Sequence, residues 1–169
     1  GVVAQEIDGF AHFGDRVRKR LARPAHEESE QRRHPRLERR GGAFEARGWA
    51  EQAAEAGAQA VMLLPPTAFR ADEETVVAHY AEVAKAGLPV IAYNNPYDTK
   101  VDLTPHVLGQ LFDEDLIVAV KEFTGDVRRA WEIAELSPGL DLLVGSDDVV
   151  VELGLAGAVG WICGYSNAL

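Results

Sequence analysis

The sequence contains a single cysteine, Cys163, and no continuous apolar run of membrane-spanning length. One cysteine cannot form a disulfide within its own chain, so a disulfide-rich scaffold is not expected. The shortage of long apolar runs argues against a transmembrane helix and a membrane partner. The first residues also lack the charged segment and apolar core of a secretion signal, so we predict no export and a cytoplasmic location.

Several familiar catalytic and ligand-binding motifs are missing. No Gly-x-Gly-x-x-Gly run follows a strand-like segment, and the sequence has no P-loop and no Gly-x-Ser-x-Gly nucleophile motif. The five histidines and the cysteine have no metal-ligand spacing, and the pair Asp147-Asp148 alone is a poor metal site. The sequence therefore gives no indication of a bound metal ion.

Charge is unevenly distributed along the chain. The net charge is −10, yet residues 1–40 contain ten Lys or Arg against seven Asp or Glu. Arg16–Arg40 has too little apolar surface to offset its ordering entropy, so we expect it to be disordered or at most a solvated helix. Its basic residues suit nucleic acid, but no aromatic residues interleave with them and the rest of the chain is acidic. We predict no nucleic-acid partner, an irregular basic segment over 1–42 and a folded domain over 43–169.

The segment from residue 43 onward has the pattern of an α/β protein, because short apolar, β-branched runs alternate with stretches of helical periodicity. The predicted strands are Ala60–Leu64, Pro89–Tyr93, Leu116–Val120, Leu140–Val144 and Ala158–Cys163. Asp72, Thr104 and Asp126 each stand where a helix N-cap is expected. On the helix after Asp126, we expect Val127, Ala130, Trp131 and Ala134 to face the sheet.

This alternation predicts a parallel sheet with right-handed crossovers. Either a doubly wound open sheet or a (β/α)₈ TIM barrel contains such a sheet. Polar residues collect at the carboxyl ends of successive strands, where a barrel builds its active site. They occupy Tyr93–Pro96, Lys121–Glu122, Gly145–Asp148 and Gly164–Asn167. We therefore predict an incomplete (β/α)₈ barrel.

Lys121 closes an otherwise apolar strand. Alternation puts it on one face with Ala119 and Ile117, whereas Val118 and Val120 share the face that helices cover. The amine then points into the barrel mouth, where burial lowers its pKa from about 10.4. A neutral amine attacks a carbonyl to form a Schiff base. The alternative is a lysine that reaches solvent or pairs with a carboxylate.

Tyr93 ends the preceding strand, and alternation puts it on one face with Ile91. Neighbouring strands lie about 4.8 Å apart, so the phenol and the Lys121 amine can meet over one cavity. A phenol in that position serves as a general acid or base. The alternative is a buried tyrosine whose hydroxyl satisfies a backbone carbonyl.

Small and polar residues at the strand ends are candidate substrate-binding groups. Gly145 and Ser146 offer backbone amides and a hydroxyl, although a turn that caps the next helix is the alternative. Gly164 lies where a glycine lets a substrate approach the backbone. Asn95 belongs to the same strand-end motif as Tyr93 and completes the set together with Lys100.

Five segments follow one another along the chain: AVMLLPP, IAYNNP, VAVKEFTGD, VGSDD and AVGWICGYSNA. In this order they resemble the dihydrodipicolinate synthase/N-acetylneuraminate lyase family of class I, Schiff-base-forming lyases. The resemblance covers about residues 43–169. It implies that Lys121 is the Schiff-base lysine and Tyr93 the proton-relay tyrosine, in the later units of the barrel. It also implies pyruvate or another 2-oxo acid as substrate, no cofactor, and a homo-oligomer, which is a tetramer in many members.

The loop after Tyr93 departs from the family's pattern. Asp98 stands where an arginine of dihydrodipicolinate synthases holds a substrate carboxylate, and an acid cannot make that bidentate contact. We therefore expect an aldolase or dehydratase for a sugar-acid or hydroxyproline-type compound rather than dihydrodipicolinate synthase itself. Lys100 is an alternative group for binding a carboxylate.

A second departure concerns the start of the chain. The family's Gly-Thr-Thr-Gly-Glu-like loop, which binds the 2-oxo-acid carboxylate, has no counterpart in Gly1–Arg40. A whole barrel needs about 250 residues, so we expect a partial or damaged gene product whose residues 1–42 are read in the wrong frame. The alternative function is a non-catalytic, degenerate fragment that acts at most as a binding or interaction protein.

Overall fold

The computed structural model describes residues 2–3, 41–68 and 70–165. The strands are β1 (Val2–Val3), β2 (Val61–Leu63), β3 (Val90–Asn94), β4 (Ala119–Glu122), β5 (Asp141–Val144) and β6 (Gly160–Trp161). The helices are α1 (Gly41–Glu55), α2 (Glu73–Ala84), α3 (Pro96–Thr99), α4 (Pro105–Asp113), α5 (Val127–Leu136) and α6 (Val150–Leu155), with a 3₁₀ turn over Asp147–Val149.

The described strands form one sheet in the order β1-β2-β3-β4-β5-β6. Strands β2 to β6 are parallel to their neighbours, whereas β1, which the sequence did not predict, pairs antiparallel with β2. The strand order follows the chain order without the reversal that marks a doubly wound sheet. This sequential β/α order is that of a (β/α)₈ barrel, and the described part of the chain forms an incomplete one.

The irregular segment predicted over residues 1–42 lies outside the described residues, except for Val2–Val3 and Gly41–Gly42. Helix α1 begins at Gly41, so it crosses the predicted boundary at residue 42. The division into two parts and the disorder expected for Arg16–Arg40 stay predictions.

The three predicted N-caps are confirmed. The Asp72 carboxylate accepts a hydrogen bond from the Thr75 amide at 3.0 Å and begins α2. The Thr104 hydroxyl caps α4, which has a proline at its first position, and Asp126 caps α5. These caps satisfy backbone amides that lack partners within their helices, and they fix where each helix leaves the strand-end loops.

Alternating strand residues pack into two apolar clusters. The larger cluster lies between the sheet and the helices and contains Val120. The smaller one, which we call the inner cluster, has Ala60, Ile91, Ala119 and Leu143 as its buried members. The sequence placed Ala119 and Val120 on the correct faces. Alternation along the strands thus separates a helix-covered face from the face that a barrel encloses.

The faces predicted for Ile117 and Val118 are wrong. Ile117 packs in the helix-side cluster and Val118 against the inner cluster, the reverse of the prediction. The strand predicted over Leu116–Val120 in fact begins at Ala119 and continues to Glu122. Ile117 and Val118 precede it, and the two-residue alternation holds only within a strand.

Helix α5 agrees with expectation in part. Ala130 is buried and Val127 packs against the helix-side cluster, but Trp131 and Ala134 are exposed rather than turned to the sheet. The buried positions are Ala130, Ile133 and Ser137, at successive spacings of three and four residues. Trp131 and Ala134 each lie one residue beyond a buried position. The stripe of this helix is therefore rotated from the one that its apolar residues indicated.

Candidate active site

Lys121 on β4 and Tyr93 on β3 are register partners in the parallel sheet. The lysine Nζ lies 4.1 Å from the centroid of the tyrosine ring and 6.0 Å from that of the Phe123 ring. Both Lys121 and Tyr93 are half-buried, and their neighbours Ile91 and Ala119 belong to the inner cluster. The two residues that the sequence singled out are thus in contact, with the amine over the face of the ring.

Burial is the main influence on the amine. It lowers the pKa of Lys121 below the ordinary lysine value, while the negative charge of Asp147 acts in the opposite direction. Removing an ammonium from water disfavours its charged form. The site therefore favours the neutral, nucleophilic amine more than an exposed lysine does.

Tyr93 has its pKa raised, chiefly by burial. A hydrogen bond with the Asn95 side chain acts against this shift, and the charge of Asp98 adds to it. The phenol is consequently protonated at neutral pH and can donate a proton.

A buried hydrogen-bond network lies next to this pair in the sequence. The Asn94 Nδ2 donates to the Glu122 carboxylate at 2.9 Å, and the Thr124 amide donates to the other carboxylate oxygen at 2.7 Å. The Asn94 Oδ1 accepts from the Leu103 amide at 3.0 Å. Because Asn94 and Glu122 follow Tyr93 and Lys121 directly, the network fixes the register of the two strands at the site. The sequence analysis missed this role of Asn94.

Two polar side chains of the loop after β3, those of Asn95 and Tyr97, form hydrogen bonds with loop residues. The Asn95 Oδ1 accepts from the Asp98 amide at 3.4 Å, and its Nδ2 donates to the Asp98 carboxylate at 2.7 Å. Asn95 thereby caps α3. The Tyr97 hydroxyl donates to the Thr124 carbonyl at 2.8 Å. Asn95 is therefore close to Tyr93, but its amide is already committed to the loop.

Lys100 lies at a part of the surface that is separate from the Lys121 and Tyr93 pair. Its amine donates to the Tyr97 carbonyl oxygen. It also lines a cleft of about 720 Å³ together with Arg70 and residues of α2 and α4, and among the described residues neither Tyr93 nor Lys121 lines this cleft. The structure does not bring Lys100 together with the lysine and tyrosine pair.

Gly145 and Ser146 follow β5. The Gly145 amide donates to the Glu122 carbonyl at 2.8 Å, and a Cβ on this glycine would lie 2.6 Å from that oxygen. Glycine is therefore required for the close approach of the two strand ends. Ser146 is buried at the start of the 3₁₀ turn but makes no side-chain capping bond, so the alternative of a helix-capping serine is not supported.

Asp147 connects β5 to the residues that follow β6. Its carboxylate accepts from the Trp161 indole at 2.9 Å, from the Gly164 amide at 3.1 Å and from the Tyr165 amide at 3.1 Å. Gly164, a predicted binding residue, thus has its amide engaged. The sequence analysis considered Asp147 only as a poor metal ligand; its position at a strand end opposite a Gly-Tyr turn was the available signal.

Residues 2–3, 41–68 and 70–165 lack two further features. No group of three or more His, Cys, Asp or Glu side chains is arranged there to hold a metal ion. No helix in the same ranges combines the length and apolarity needed to cross a bilayer.

The chain is similar to known proteins in sequence and in fold. The model of the dihydrodipicolinate synthetase family matches residues 40–169. The 4-hydroxy-tetrahydrodipicolinate synthase of Nitrosococcus oceani is 38% identical over 125 residues, which cover 73% of this chain and 43% of that protein. The structure of 4-hydroxy-tetrahydrodipicolinate synthase from Methylacidiphilum fumariolicum has a TM-score of 0.71 at 29% identity, covering 75% of this chain and 43% of that one. A prophage protein of the dihydrodipicolinic acid synthase family from Escherichia coli, in complex with pyruvate, has a TM-score of 0.70 at 27% identity, covering 74% and 44%.

Sequential parallel β/α units with polar residues at the carboxyl ends of their strands define a protein of the (β/α)₈-barrel class. Within that class, the chain belongs to the dihydrodipicolinate synthetase family, as its motifs indicated. It spans 43% of the length of the Nitrosococcus relative.

Proposed function

We propose that this chain carries the catalytic lysine and tyrosine of a lyase that forms a Schiff base with pyruvate or another 2-oxo acid. One observation carries the proposal: the Lys121 amine lies 4.1 Å from the Tyr93 ring, at the carboxyl ends of two neighbouring strands. The pyruvate complex of the Escherichia coli family member supports the choice of substrate class.

The first step requires an uncharged amine. Burial lowers the pKa of Lys121, so a larger fraction of the amine is neutral and can attack the C2 carbonyl carbon of the substrate. A C–N bond forms and one proton moves from nitrogen to the former carbonyl oxygen. A second proton, from an acid group, lets that oxygen leave as water, and the nitrogen keeps one hydrogen in a protonated imine.

Tyr93 is the proposed source of that second proton. Its raised pKa keeps the phenol protonated before the reaction. After donating, the phenolate accepts a proton from C3 of the imine, which gives an enamine that can add to or be released from a second carbonyl compound. Reaction of the enamine with the second compound restores an imine at C2. Water then attacks that carbon, the C–N bond breaks and the 2-oxo acid is released, so that Lys121 returns to the neutral amine and Tyr93 to the protonated phenol without an external oxidant or reductant.

The second substrate is proposed to differ from that of dihydrodipicolinate synthase. Asp98 is exposed in the loop after β3 and is hydrogen-bonded to Asn95. A carboxylate repels a substrate carboxylate and favours hydroxyl groups as donors. We therefore propose a hydroxylated substrate of the sugar-acid or hydroxyproline type, in an aldol or dehydration reaction. Ser146, with no capping bond, remains the candidate hydroxyl for the 2-oxo acid, and a cytoplasmic homo-oligomer stays the expectation for the whole protein.

Reductive trapping tests this function. The protein is incubated with pyruvate, reduced with borohydride and digested, and its lysine-containing peptides are analysed by mass spectrometry. We expect Lys121 to gain the mass of pyruvic acid less one oxygen atom. Lys85 and Lys100, which are exposed, serve as internal controls in the same sample. Equal labelling of the three lysines, or no adduct in folded protein, would refute the enzymatic function and leave a non-catalytic binding role.

A further inference from the structure

The Asp147 carboxylate is the point at which the residues after β6 are attached to the rest of the site. We call residues 161–165, which are the last residue of β6 and the four that follow it, the β6 loop. Three groups of this loop donate to Asp147: the Trp161 indole, the Gly164 amide and the Tyr165 amide, at 2.9 to 3.1 Å. Both carboxylate oxygens take part, so one side chain satisfies donors from three positions of the loop.

The fit between the loop and the carboxylate is close. A Cβ built on Gly164 would lie 2.9 Å from the Asp147 Oδ2, so only glycine allows the backbone to approach this far. The Gly164 amide lowers the pKa of Asp147 most, and the Trp161 indole, the Tyr165 amide and the Cys163 side chain add to this decrease against the opposing effect of desolvation. The carboxylate is therefore ionised at neutral pH and keeps its charge inside this set of donors.

The same charge acts on Lys121. The lysine pairs in register with Leu143 on β5, and Asp147 follows four residues later at the carboxyl end of that strand. Among the described residues, Asp147 is the charged group that raises the pKa of the lysine against the effect of burial. The Tyr93 ring on β3 and the uncharged Phe123 ring also lie near the amine, at 4.1 and 6.0 Å from Nζ to the ring centroids.

We propose that Asp147 is a positioning residue of this site, which holds the β6 loop at the carboxyl end of β5 and places a fixed negative charge near Lys121. Its chemical role rests on the proposed function. A protonated imine carries a positive charge on the lysine nitrogen, and a nearby carboxylate stabilises that charge in the intermediate. The substitution that separates charge from shape is Asp147→Asn, which is nearly isosteric.

Hydrogen exchange tests the attachment of the loop. In Asp147→Asn, we expect the Gly164 and Tyr165 amides to lose about tenfold in protection, because a charge-assisted hydrogen bond is replaced by a weaker neutral one. Asp148→Asn is the matched control, since it removes the neighbouring exposed carboxylate and is expected to leave both amides unchanged. Gly164→Ala attacks the same contact from the loop side and should also reduce protection at Tyr165. Unchanged exchange in both Asp147→Asn and Gly164→Ala overturns the attachment.

A titration of Lys121 tests whether the charge of Asp147 acts on its amine. A purely structural role of Asp147 would not change the pKa of Lys121. The lysines are ¹³C-methylated, the Lys121 signal is assigned from its loss in Lys121→Met, and the pKa of its amine is followed by NMR. We expect Asp147→Asn to lower the pKa of Lys121 and Asp148→Asn to leave it unchanged. An unchanged value in Asp147→Asn, or an equal shift in both variants, refutes the electrostatic role.

Neither measurement uses a substrate, so the two hypotheses can fail separately. If no pyruvate adduct forms while both readouts move as expected, the proposed function is wrong and the positioning role of Asp147 stands. If the adduct forms on Lys121 while neither readout moves, the positioning role is wrong and the lyase function stands.

Discussion

The Lys121 amine contacts the face of the Tyr93 ring, with 4.1 Å between Nζ and the ring centroid. The Asn95 side chain acts on the phenol hydroxyl, at the edge of that ring, and counteracts the increase that burial causes in the pKa of Tyr93. Ring and hydroxyl are therefore separable: the ring face packs against the Lys121 amine, and we propose that the hydroxyl, at the ring edge, exchanges protons with a substrate.

This separation predicts a specific effect of Tyr93→Phe. The variant keeps the ring under the amine but removes the acid, so we expect the borohydride-trapped adduct to form more slowly but still on Lys121, while proton exchange at C3 of pyruvate falls by roughly 10²- to 10³-fold. The exchange is measured by NMR as the loss of the methyl signal in D₂O, without a second substrate. Equal exchange rates in wild type and variant would show that Tyr93 is not the proton-transfer group.

The Asn94–Glu122 hydrogen bond predicts a stability effect. Glu122 is only 1% exposed, and Asn94→Ala removes a donor to its carboxylate together with a partner of Leu103. Unpaired buried polar groups are costly, so the free energy of unfolding should decrease by about 3 kcal/mol in urea denaturation. Gln110→Ala removes an exposed side-chain bond to Glu114 and should cost less than about 0.5 kcal/mol. Similar losses in the two variants would contradict the role assigned to burial.

His79 predicts how stability depends on pH. Burial lowers its pKa from 6.5 to about 4, despite an opposing hydrogen bond to the Leu64 carbonyl. Between these values the unfolded chain binds a proton that the folded chain does not, so stability decreases as the pH falls from 6.5 towards 4. The contribution of His79 amounts to about 3 kcal/mol over this window.

The measurement is the free energy of unfolding as a function of pH in His79→Gln. We expect this variant to flatten the dependence between pH 6.5 and 4. His106→Gln, at a side chain that is 85% exposed, should retain the slope of the wild type. A slope that survives in His79→Gln would assign the dependence to other groups.

Replacing either of two glycines by alanine is expected to change the free energy of unfolding, and the two changes have opposite signs. Gly145→Ala places a Cβ 2.6 Å from the Glu122 carbonyl oxygen, so strand ends must move apart and the unfolding free energy should fall by about 1–3 kcal/mol. A Cβ on Gly48, in the middle of α1, meets no atom within 4 Å, and Gly48→Ala should stabilise the helix by up to about 1 kcal/mol. Thermal unfolding measures both changes. Equal effects would mean that space at Gly145 is not limiting.

The sequence predicted those features that depend on local chemistry. Capping at Asp72 follows from a side-chain oxygen next to free helix amides, and the shared face of Tyr93 and Lys121 follows from alternation along adjacent strands. Both are seen in the structure. Trp131 was misplaced because large apolar side chains are not confined to the interior, and which stripe of α5 is buried is decided by the neighbours that it packs against.

The contacts of the site that join distant segments could not be predicted. Asp147 and Gly164 are 17 positions apart, and their hydrogen bond depends on the relative position of β5 and β6. The commitment of the Gly145 amide to Glu122 depends in the same way on two strands. A single sequence therefore predicts which side chains are candidates for a site more readily than which backbone groups arrange them.

The Tyr97 hydroxyl, which donates to the Thr124 carbonyl at 2.8 Å, has a consequence for engineering. It joins the loop after Tyr93 to the loop after Lys121 from the solvent side, on a ring that is 62% exposed. Any attempt to broaden selectivity by randomising position 97 alters two rim segments at once. Libraries should therefore vary Tyr97 and Thr124 together, so that each new side chain is sampled with a backbone able to accommodate it.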